Sequence, residues 1–497
     1  MGVIKFRLAS PDYPGRVGEL RKAFFVGIDR SPVRLHVDVR GDLLTCRREQ
    51  PDSGRLFVPR RVEGHGTPYI GTATLAERDE PYWLDLELAR GKLNDLRNQC
   101  ADWKQMGLRT TVEFEALLAD AQHEFVKAAT SGGDAESIRA HAGRAIALAT
   151  TAGEVLARFY ATQVLQTRLS ATPRLQTELS AGVDVSSSKA PWLNDYASAF
   201  NAARVNASWR SVAPNEGKYR WEPLDALVAK FRRFNLPITF GPLVDFRGAT
   251  IPDWLSLFEG DFETLQGLIL DYVAQVVTRY RGKVAHWRLF QRAGLSDALG
   301  LSEEEQIRIA TQIARTTRQI DASAGLSLGV DRPWAEWLSA GDVQLGPLHL
   351  ADYLVRAQLG ISAVAVEIAP GYTSPGSRVR DMLEFSKLLD LYALINVPLH
   401  IEFAFPSAAG PDATADPKVE VEPSQWESGL DENEQLDWAS RWVTLAASKP
   451  FVRTITWLDA ADAAPKLYPH SGLFRPDGTA KPIYEWLKVF RKEILVP

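Results

Sequence analysis

From residue 173 to the C-terminus, short apolar runs alternate with longer stretches whose apolar residues recur at helical spacing. Each short run, bounded by turn residues, is typical of a buried parallel strand, and a stretch such as "SEEEQIRIATQIARTTRQIDA" predicts an amphipathic helix. Eight such pairs predict a closed (β/α)8 TIM barrel of the α/β class over residues 173–497. A doubly wound open sheet is the competing arrangement, disfavoured because no glycine-rich phosphate loop follows the first strand. The predicted strands are 179–185, 202–208, 237–245, 284–291, 325–331, 363–368, 398–405 and 452–458.

The first third of the chain carries two other patterns. Apolar and polar residues alternate in "VRLHVDVRG" (33–41) and "LDLELARG" (84–91), which predicts a small antiparallel β unit over residues 1–88, of the sandwich type. Residues 89–172 have a helical pattern interrupted at glycines, which predicts a helical hairpin plus one further helix. We therefore expect a β-rich domain, a helical segment and a barrel. A packing role and a carbohydrate-binding role for the β unit stay open, the latter supported only by Tyr69, Tyr82 and Trp83.

Composition and charge narrow the classes of function. Of the 497 residues, 45% are hydrophobic and 24% are charged, as in a globular protein with a sizeable core. A net charge of −5 gives no electrostatic basis for a nucleic-acid partner. The two cysteines stand in no metal-ligand spacing, and we expect neither a metal nor another cofactor. Since no apolar run suits a signal peptide or a membrane span, a cytoplasmic protein without a membrane partner is the default expectation.

Polar side chains stand at the ends of the predicted barrel strands. Function in such barrels gathers at the C-terminal ends of the strands, so these side chains are expected to meet at one mouth. Converging carboxylates suit glycosidic-bond chemistry, in which one acid protonates the leaving oxygen and one carboxylate attacks or directs water. Two alternatives remain open: oxygen ligation of a divalent metal, and capping of the helices that follow. The residues are Asp184, Asn206, Asp245, Gln291, Arg292, Asp331, Glu367, Glu402 and Asp459.

Four segments of the barrel region resemble the family 10 glycoside hydrolases, which are best known as endo-β-1,4-xylanases. They are "FNAARVNASWRSVAPNEGKYRWEPLDALV", "IPDWL", "YRGKVAHWRLFQRA" and "SKPFVRTITWLDAAD…SGLFRPDGTAKPIYEWL". The last, with its Trp-containing strand end and its Lys-Pro-x-Tyr before the final helix, is the most specific. The resemblance spans about residues 176–495 and implies a TIM barrel that acts on a carbohydrate.

Carried over by position, the resemblance implies only part of that family's catalytic site. Glu402 in "PLHIEFAF" stands at the position of the nucleophile. The acid/base Glu and the Asn before it are replaced by Arg292 and Gln291, and a guanidinium cannot donate a proton near neutral pH. Asn206 remains, and Trp209 stands where a Lys is expected.

Other sugar-binding positions differ as well. Asp245 lies in "FGPLVDF", where the family has a His-rich motif, and Trp457 matches a strand-eight Trp that either stacks under a sugar or fills the core. Glu367, with Asp331 as the other candidate, is our choice for a replacement acid, because a carboxylic acid in an apolar pocket near another carboxylate has a raised pKa. Arg292 is expected to pair with Glu402 or Glu367, or to bind an acidic sugar; an internal salt bridge is the plain alternative.

These residues lead to two main functional hypotheses. The first is a glycoside hydrolase-like protein that acts on the O-glycosidic bonds of a β-linked poly- or oligosaccharide through Glu402 and Glu367. The second is a glycan-binding protein that keeps the cleft and has lost the chemistry; a scaffold with a closed mouth is a third. Two carboxyl groups about 5 Å apart would favour a retaining hydrolase, whereas a Glu402 paired with Arg292 would favour binding or a scaffold.

Overall fold

The computed structural model describes residues 2–9, 17–49, 51–294, 298–339, 343, 345–427 and 429–496. The chain forms two compact units. Unit 1 comprises Met1–Val164, Arg378–Lys387 and Pro423–Gly429, and unit 2 comprises Leu165–Ser377, Leu388–Glu422 and Leu430–Pro497. In the described ranges, every helix is too short or too polar to cross a lipid bilayer.

Unit 1 contains two four-stranded sheets. Strand β1 pairs antiparallel with β5 and parallel with β8 in the sheet β4-β5-β1-β8, and β2 pairs antiparallel with β3 and β6 in the sheet β3-β2-β6-β7. The predicted antiparallel β unit is thereby confirmed. The strands are β1 (Gly2–Arg7), β2 (Phe24–Gly27), β3 (Pro32–Val33), β4 (His36–Arg40), β5 (Leu43–Arg48), β6 (Gly54–Pro59), β7 (Tyr69–Gly71) and β8 (Tyr82–Trp83).

The helices of the first third are α1 (Val17–Leu20), α2 (Leu84–Gln105), α3 (Val112–Ala129) and α4 (Ala135–Ala171). The prediction of a strand in "LDLELARG" was wrong, because this segment is the first turns of α2. Leu84 and Leu88 fit an alternating strand, but they are also four residues apart and so lie on one helical face, where both are buried. A window of eight residues cannot separate the two periods.

One hydrophobic core joins the strands and helices of unit 1. It includes Ile4 and Leu44 from a sheet, Leu88 from α2 and Ile146 from α4. Within this unit, the buried Lys92 ammonium lies 2.6 Å from a carboxylate oxygen of Asp381. Residues 1–88 and most of 89–172 therefore belong to one unit, which also includes the segment Arg378–Lys387 from later in the chain.

Unit 2 contains a closed barrel of eight parallel strands, so the predicted TIM barrel is confirmed. All residues of its sixth and seventh strands are buried, as expected for parallel strands covered on both faces. The barrel strands run in chain order around the ring: β9 (Glu178–Asp184), β10 (Ala203–Asn206), β11 (Ile238–Phe240), β13 (His286–Arg288), β15 (Gly325–Val330), β16 (Ala363–Ile368), β17 (Leu399–Phe403) and β18 (Val452–Trp457).

Helices follow the barrel strands and several begin at a side-chain cap. Ser302 and Glu305 form a reciprocal capping box, and Asp261 and Asp431 accept hydrogen bonds from backbone amides in the first turn of their helices. The helices are α5 (Tyr196–Ala199), α6 (Trp209–Val212), α7 (Glu222–Arg233), α8 (Phe262–Tyr280), α9 (Glu303–Ile320), α10 (Pro347–Arg356), α11 (Met382–Ala393), α12 (Glu432–Ser448) and α13 (Pro482–Ile494).

Two short strands extend the barrel at its mouth. β12 (Val244–Asp245) and β14 (Phe290–Gln291) continue the third and fourth barrel strands and pair parallel with each other. Their register sets Asp245 beside Gln291. The residue after β14 is Arg292, whose φ of 61° lies in the left-handed region that few non-glycine residues adopt. This backbone turn places Arg292 at the mouth.

Candidate functional site

A cavity of about 330 Å³ lies at the C-terminal mouth of the barrel. Eight residues singled out from the sequence line it: Asp184, Asn206, Trp209, Asp245, Gln291, Arg292, Glu367 and Asp459. Its wall also contains residues that the sequence did not single out, among them Arg204, Arg247, Asp416, Lys466 and Tyr468. The mouth therefore combines several carboxylates with several cations.

Arg292 is the centre of one group of charges in this wall. The guanidinium is 7% exposed, and it donates to both carboxylate oxygens of Glu367 and to Oδ1 of Asp245, each at 3.0 Å. Burial by itself would lower the pKa of Arg292, but the charges of Asp245 and Glu367 hold that pKa well above its usual range. Of the partners predicted for Arg292, the structure brings it to Glu367.

Glu367 is a carboxyl group with several hydrogen-bond donors around it. Besides Arg292, the Tyr468 hydroxyl donates to Oε1 at 2.5 Å and the Gln291 amide donates to Oε2 at 3.3 Å. Burial raises the pKa of Glu367 above its usual range; the Arg292 charge opposes this rise and the nearby Asp331 carboxylate adds to it. A raised pKa favours the protonated form, which is what a general acid requires.

Glu402, at the end of the neighbouring strand β17, is 1% exposed. Its Oε1 accepts hydrogen bonds from both Arg204 and Arg288. Among the described residues, its Oε2 has no hydrogen-bond partner. Arg204 reaches the cavity wall, but Glu402 and Arg288 are outside the set of residues that line it. The predicted nucleophile is therefore paired with two arginines, and neither of them is Arg292.

This buried cluster holds more positive than negative charge. Burial lowers the pKa of Arg288 to about 10, although the Glu402 carboxylate acts in the opposite direction. His400 lies close by, and burial together with the Arg288 charge lowers the pKa of this imidazole well below its usual range. With His400 neutral near pH 7, Glu402 is the carboxylate that compensates Arg204 and Arg288.

Two predicted residues, Asp331 and Trp457, lie outside the cavity lining. Asp331 is buried and pairs with Arg332 at 3.0 Å. Trp457 is 2% exposed, and its indole N–H donates to the Ser471 carbonyl at 2.6 Å. Its ring therefore has a core position in this structure.

Two further predicted residues have polar or aromatic contacts at the wall. The Asn206 amide donates to the Leu458 carbonyl at 3.0 Å. Trp209 is 4% exposed and stacks on Tyr272, with ring centroids 4.4 Å apart. Most of the Trp209 ring thus contacts protein, and only a small edge faces the cavity.

Asp184 and Asp459 supply two further carboxyl groups to the cavity wall. Burial raises the pKa of Asp459 to about 6, against the effect of a hydrogen bond from the Ser471 hydroxyl at 2.8 Å. Burial also raises the pKa of Asp184. Of these two groups, Asp459 has a pKa that approaches neutral pH. In the described part of the chain, no cluster of three or more His, Cys, Asp or Glu side chains has the arrangement of a metal site.

The comparison with known families agrees with the geometry. The model of glycosyl hydrolase family 10 matches residues 193–293, which include β10, β11 and β13. The barrel resembles the family 10 glycosyl hydrolases. This bears out the resemblance read from the sequence.

Curated relatives match over a short segment. Endo-1,4-beta-xylanase A of Fusarium oxysporum f. sp. lycopersici is 29% identical over 85 residues, which are 17% of this chain and 25% of that protein. Endo-1,4-beta-xylanase 1 of Gibberella zeae is 27% identical over 85 residues, which are 17% of this chain and 23% of that protein. The chain thus spans about a quarter of the length of these relatives.

Solved structures of the family also align with this chain. Xylanase 10B from Thermotoga maritima has a TM-score of 0.48 at 14% identity, covering 67% of this chain and 97% of that one. Xylanase 10B from Thermotoga petrophila, in complex with xylobiose, has a TM-score of 0.47 at 15% identity, covering 66% and 96%.

Proposed function

We propose that the protein is a glycoside hydrolase-like protein that takes a β-linked oligo- or polysaccharide at the barrel mouth and cleaves an O-glycosidic bond. The observation that carries this proposal is the cavity at the C-terminal ends of the strands, walled by Asp184, Asp245, Glu367 and Asp459. Carboxylates at this end of a barrel suit the acid and nucleophile of glycosidic-bond cleavage. The match of residues 193–293 to glycosyl hydrolase family 10 supports the same reaction class.

Glu402 as nucleophile and Glu367 as acid form the catalytic pair in this proposal. Their strands, β16 and β17, are neighbours, and the register pairs Glu367 with Glu402. Neighbouring strands lie about 4.8 Å apart, and register partners face the same side of a sheet. Carboxyl groups about 5–5.5 Å apart are typical of retaining glycosidases. The register therefore favours retention of configuration.

The two carboxyl groups would divide the reaction as follows. Glu367, whose pKa is raised by burial, gives its proton to the leaving oxygen as the glycosidic bond breaks. Oε2 of Glu402, which lacks a hydrogen-bond partner among the described residues, attacks the anomeric carbon and forms a glycosyl ester. Water then hydrolyses the ester, with Glu367 taking the proton back from it.

Glycan binding without hydrolysis is the second candidate, and one observation favours it. Glu402 does not reach the cavity wall, because Arg204 stands there and pairs with its Oε1. A sugar bound in this arrangement contacts Arg204 before it contacts Glu402. The two candidates share the same cavity and differ in whether Glu402 meets the anomeric carbon.

The wild-type protein can separate these candidates. We would incubate it with a panel of aryl β-glycosides that carry activated leaving groups, and with their 2-deoxy-2-fluoro analogues. An activated group departs without an acid, so a competent nucleophile alone gives turnover, and a slowed second step leaves a glycosyl adduct. Turnover with an adduct mapped to Glu402 supports hydrolysis. Binding of β-linked oligosaccharides without turnover supports the second candidate. The absence of both turnover and binding would contradict both candidates.

A further inference from the structure

The segment between β17 and α12 forms part of the cavity wall. Thr414, Ala415, Asp416 and Pro417 line the cavity, and we call residues 412–422 the roof segment. A long connection at the top of a barrel can either swing freely or be fixed by its contacts. The described hydrogen bonds decide between these cases for the roof segment.

The roof segment is anchored on one side to the loop that follows β18. The Lys466 side chain is fully buried, and its ammonium lies 2.9 Å from Oδ2 of Asp412. The same ammonium donates to the Thr414 hydroxyl and to the Asp462 carbonyl. The backbone amide of Asp416 donates to the Lys466 carbonyl at 3.0 Å. Without Lys466, the Asp412 carboxylate would be buried without this cation, which costs free energy. The anchor is therefore stable.

On the other side, the roof segment is anchored to the loop that follows β16. The backbone amide of Thr373 donates to the Glu420 carbonyl, and the amide of Glu422 donates to the Gly371 carbonyl, both at 2.9 Å. The Glu420 amide in turn donates to the Thr373 hydroxyl at 2.8 Å. The segment is therefore joined to both neighbouring loops of the barrel.

A third anchor reaches across the mouth. Asp416 accepts a hydrogen bond from Arg247 at 3.1 Å. Asp416 follows the seventh strand of the barrel, and Arg247 follows the third. In a closed ring of eight strands, the third and the seventh stand opposite each other. The Arg247–Asp416 pair therefore joins connections that leave the ring on opposite sides, and both partners line the cavity.

We infer that this site takes the free end of a β-linked chain, or a short oligosaccharide, and does not accept the interior of a long polysaccharide. An enzyme that cuts inside a polymer needs a trough open at both sides, and the bridged roof segment interrupts such a trough. The cavity volume of about 330 Å³ lies near the lower limit of small-molecule sites, which suits a few sugar rings at most. The inference rests on the proposed function and specifies its substrate class.

The test compares short and polymeric ligands with the bridge intact and broken. The proteins are the wild type, Asp416→Ala, the swapped pair Arg247→Asp with Asp416→Arg, and the control Asp253→Asn. Asp253 belongs to an exposed ion pair with Arg210 and lies outside the cavity wall. Each protein is titrated with β-linked di- and trisaccharides and is run through gels that contain soluble xylan or β-glucan, and turnover is measured on the same ligands.

We expect the wild type and Asp253→Asn to bind the short ligands without retardation by the polymers. Asp416→Ala should gain polymer binding by about fivefold, which corresponds to the loss of one partly exposed ion pair, and the swapped pair should reverse the gain. Equal behaviour of the wild type and Asp416→Ala in the polymer gels, whether both are retarded or neither is, would overturn the inference. Either result would leave the proposed function intact. Failure of every protein to bind any sugar would overturn the proposed function and the inference with it.

Discussion

Replacing Glu402 with Gln tests the charge cluster inside the barrel. The change keeps the shape of the side chain but removes the carboxylate that pairs with both Arg204 and Arg288. The arginines are only 4% and 1% exposed, so solvent replaces little of the lost interaction. Removing one partner from a buried ion pair costs about 3–5 kcal/mol, because the other charge stays buried without compensation. Two guanidinium groups share Glu402, so we expect the upper part of this range.

The free energy of unfolding of Glu402→Gln would be measured in urea and by thermal denaturation. A loss of about 4 kcal/mol corresponds to a drop in Tm of roughly 8–16 °C for a domain of about 200 residues, and to less for a larger barrel. Glu420→Gln is the matched control, because Glu420 is exposed and should change stability by less than about 0.5 kcal/mol. The triple variant Arg204→Met, Arg288→Met, Glu402→Leu removes all three charges and should recover most of the lost free energy of unfolding.

A Glu402→Gln variant as stable as Glu420→Gln would refute this reasoning. That result would mean that the two arginines find other partners or water, and that Glu402 is free for chemistry. A triple variant less stable than Glu402→Gln would show that the loss comes from packing and not from charge.

Three further predictions concern single side chains. Asp459→Asn should stabilise the protein at pH 7.5 but not at pH 4. The folded-state pKa of Asp459 is near 6, so the protonated carboxyl group contributes stability below pH 3.8, and this contribution is lost as the pH rises through 6. At pH 7.5 the substitution therefore removes a buried charge, whereas at pH 4 it replaces a neutral group by a neutral group. Urea unfolding at the two pH values should show a difference of about 1–3 kcal/mol, and equal effects at both would contradict the raised pKa. Lys92→Met leaves Asp381 buried without its partner and should cost about 3–5 kcal/mol in the unfolding transition of unit 1, whereas an unchanged transition would show that the pair is solvated. Gly329→Ala places a Cβ 1.6 Å from Oε1 of Gln291 and should lower the free energy of unfolding by about 1–3 kcal/mol in calorimetry. An unchanged free energy of unfolding would mean that the Gln291 amide moves away without cost.

The barrel could be predicted from the sequence because its signal is repeated. Each strand is a short apolar run, each helix has its own amphipathic period, and eight repetitions leave few alternatives. The segment "LDLELARG" offered one short window in which Leu84 and Leu88 fit both periods, so the local pattern could not decide. Its helical form becomes clear only when the following fourteen residues of α2, up to Gln105, are included.

The location of the candidate site and the Arg292–Glu367 pair were among the predictions, whereas the partners of Glu402 were not. The positions at the ends of strands pointed to Asp245, Arg292 and Glu367, which meet at the mouth. The partners of Glu402 lie inside strands, in "AARVN" and "HWRLF", and were missed. A signal was present, because an arginine within a buried strand needs a charged partner, but the sequence does not say which carboxylate serves.

The most direct test of the account is a crystal structure of the wild-type protein soaked with a short β-linked oligosaccharide, such as a xylo- or cello-trisaccharide. We predict sugar rings in the cavity beside Glu367, with the sugar chain ending against Asp416 beneath the roof segment. A cavity that stays without sugar at saturating concentrations of every oligosaccharide tried, or sugar bound only elsewhere on the protein, would contradict it.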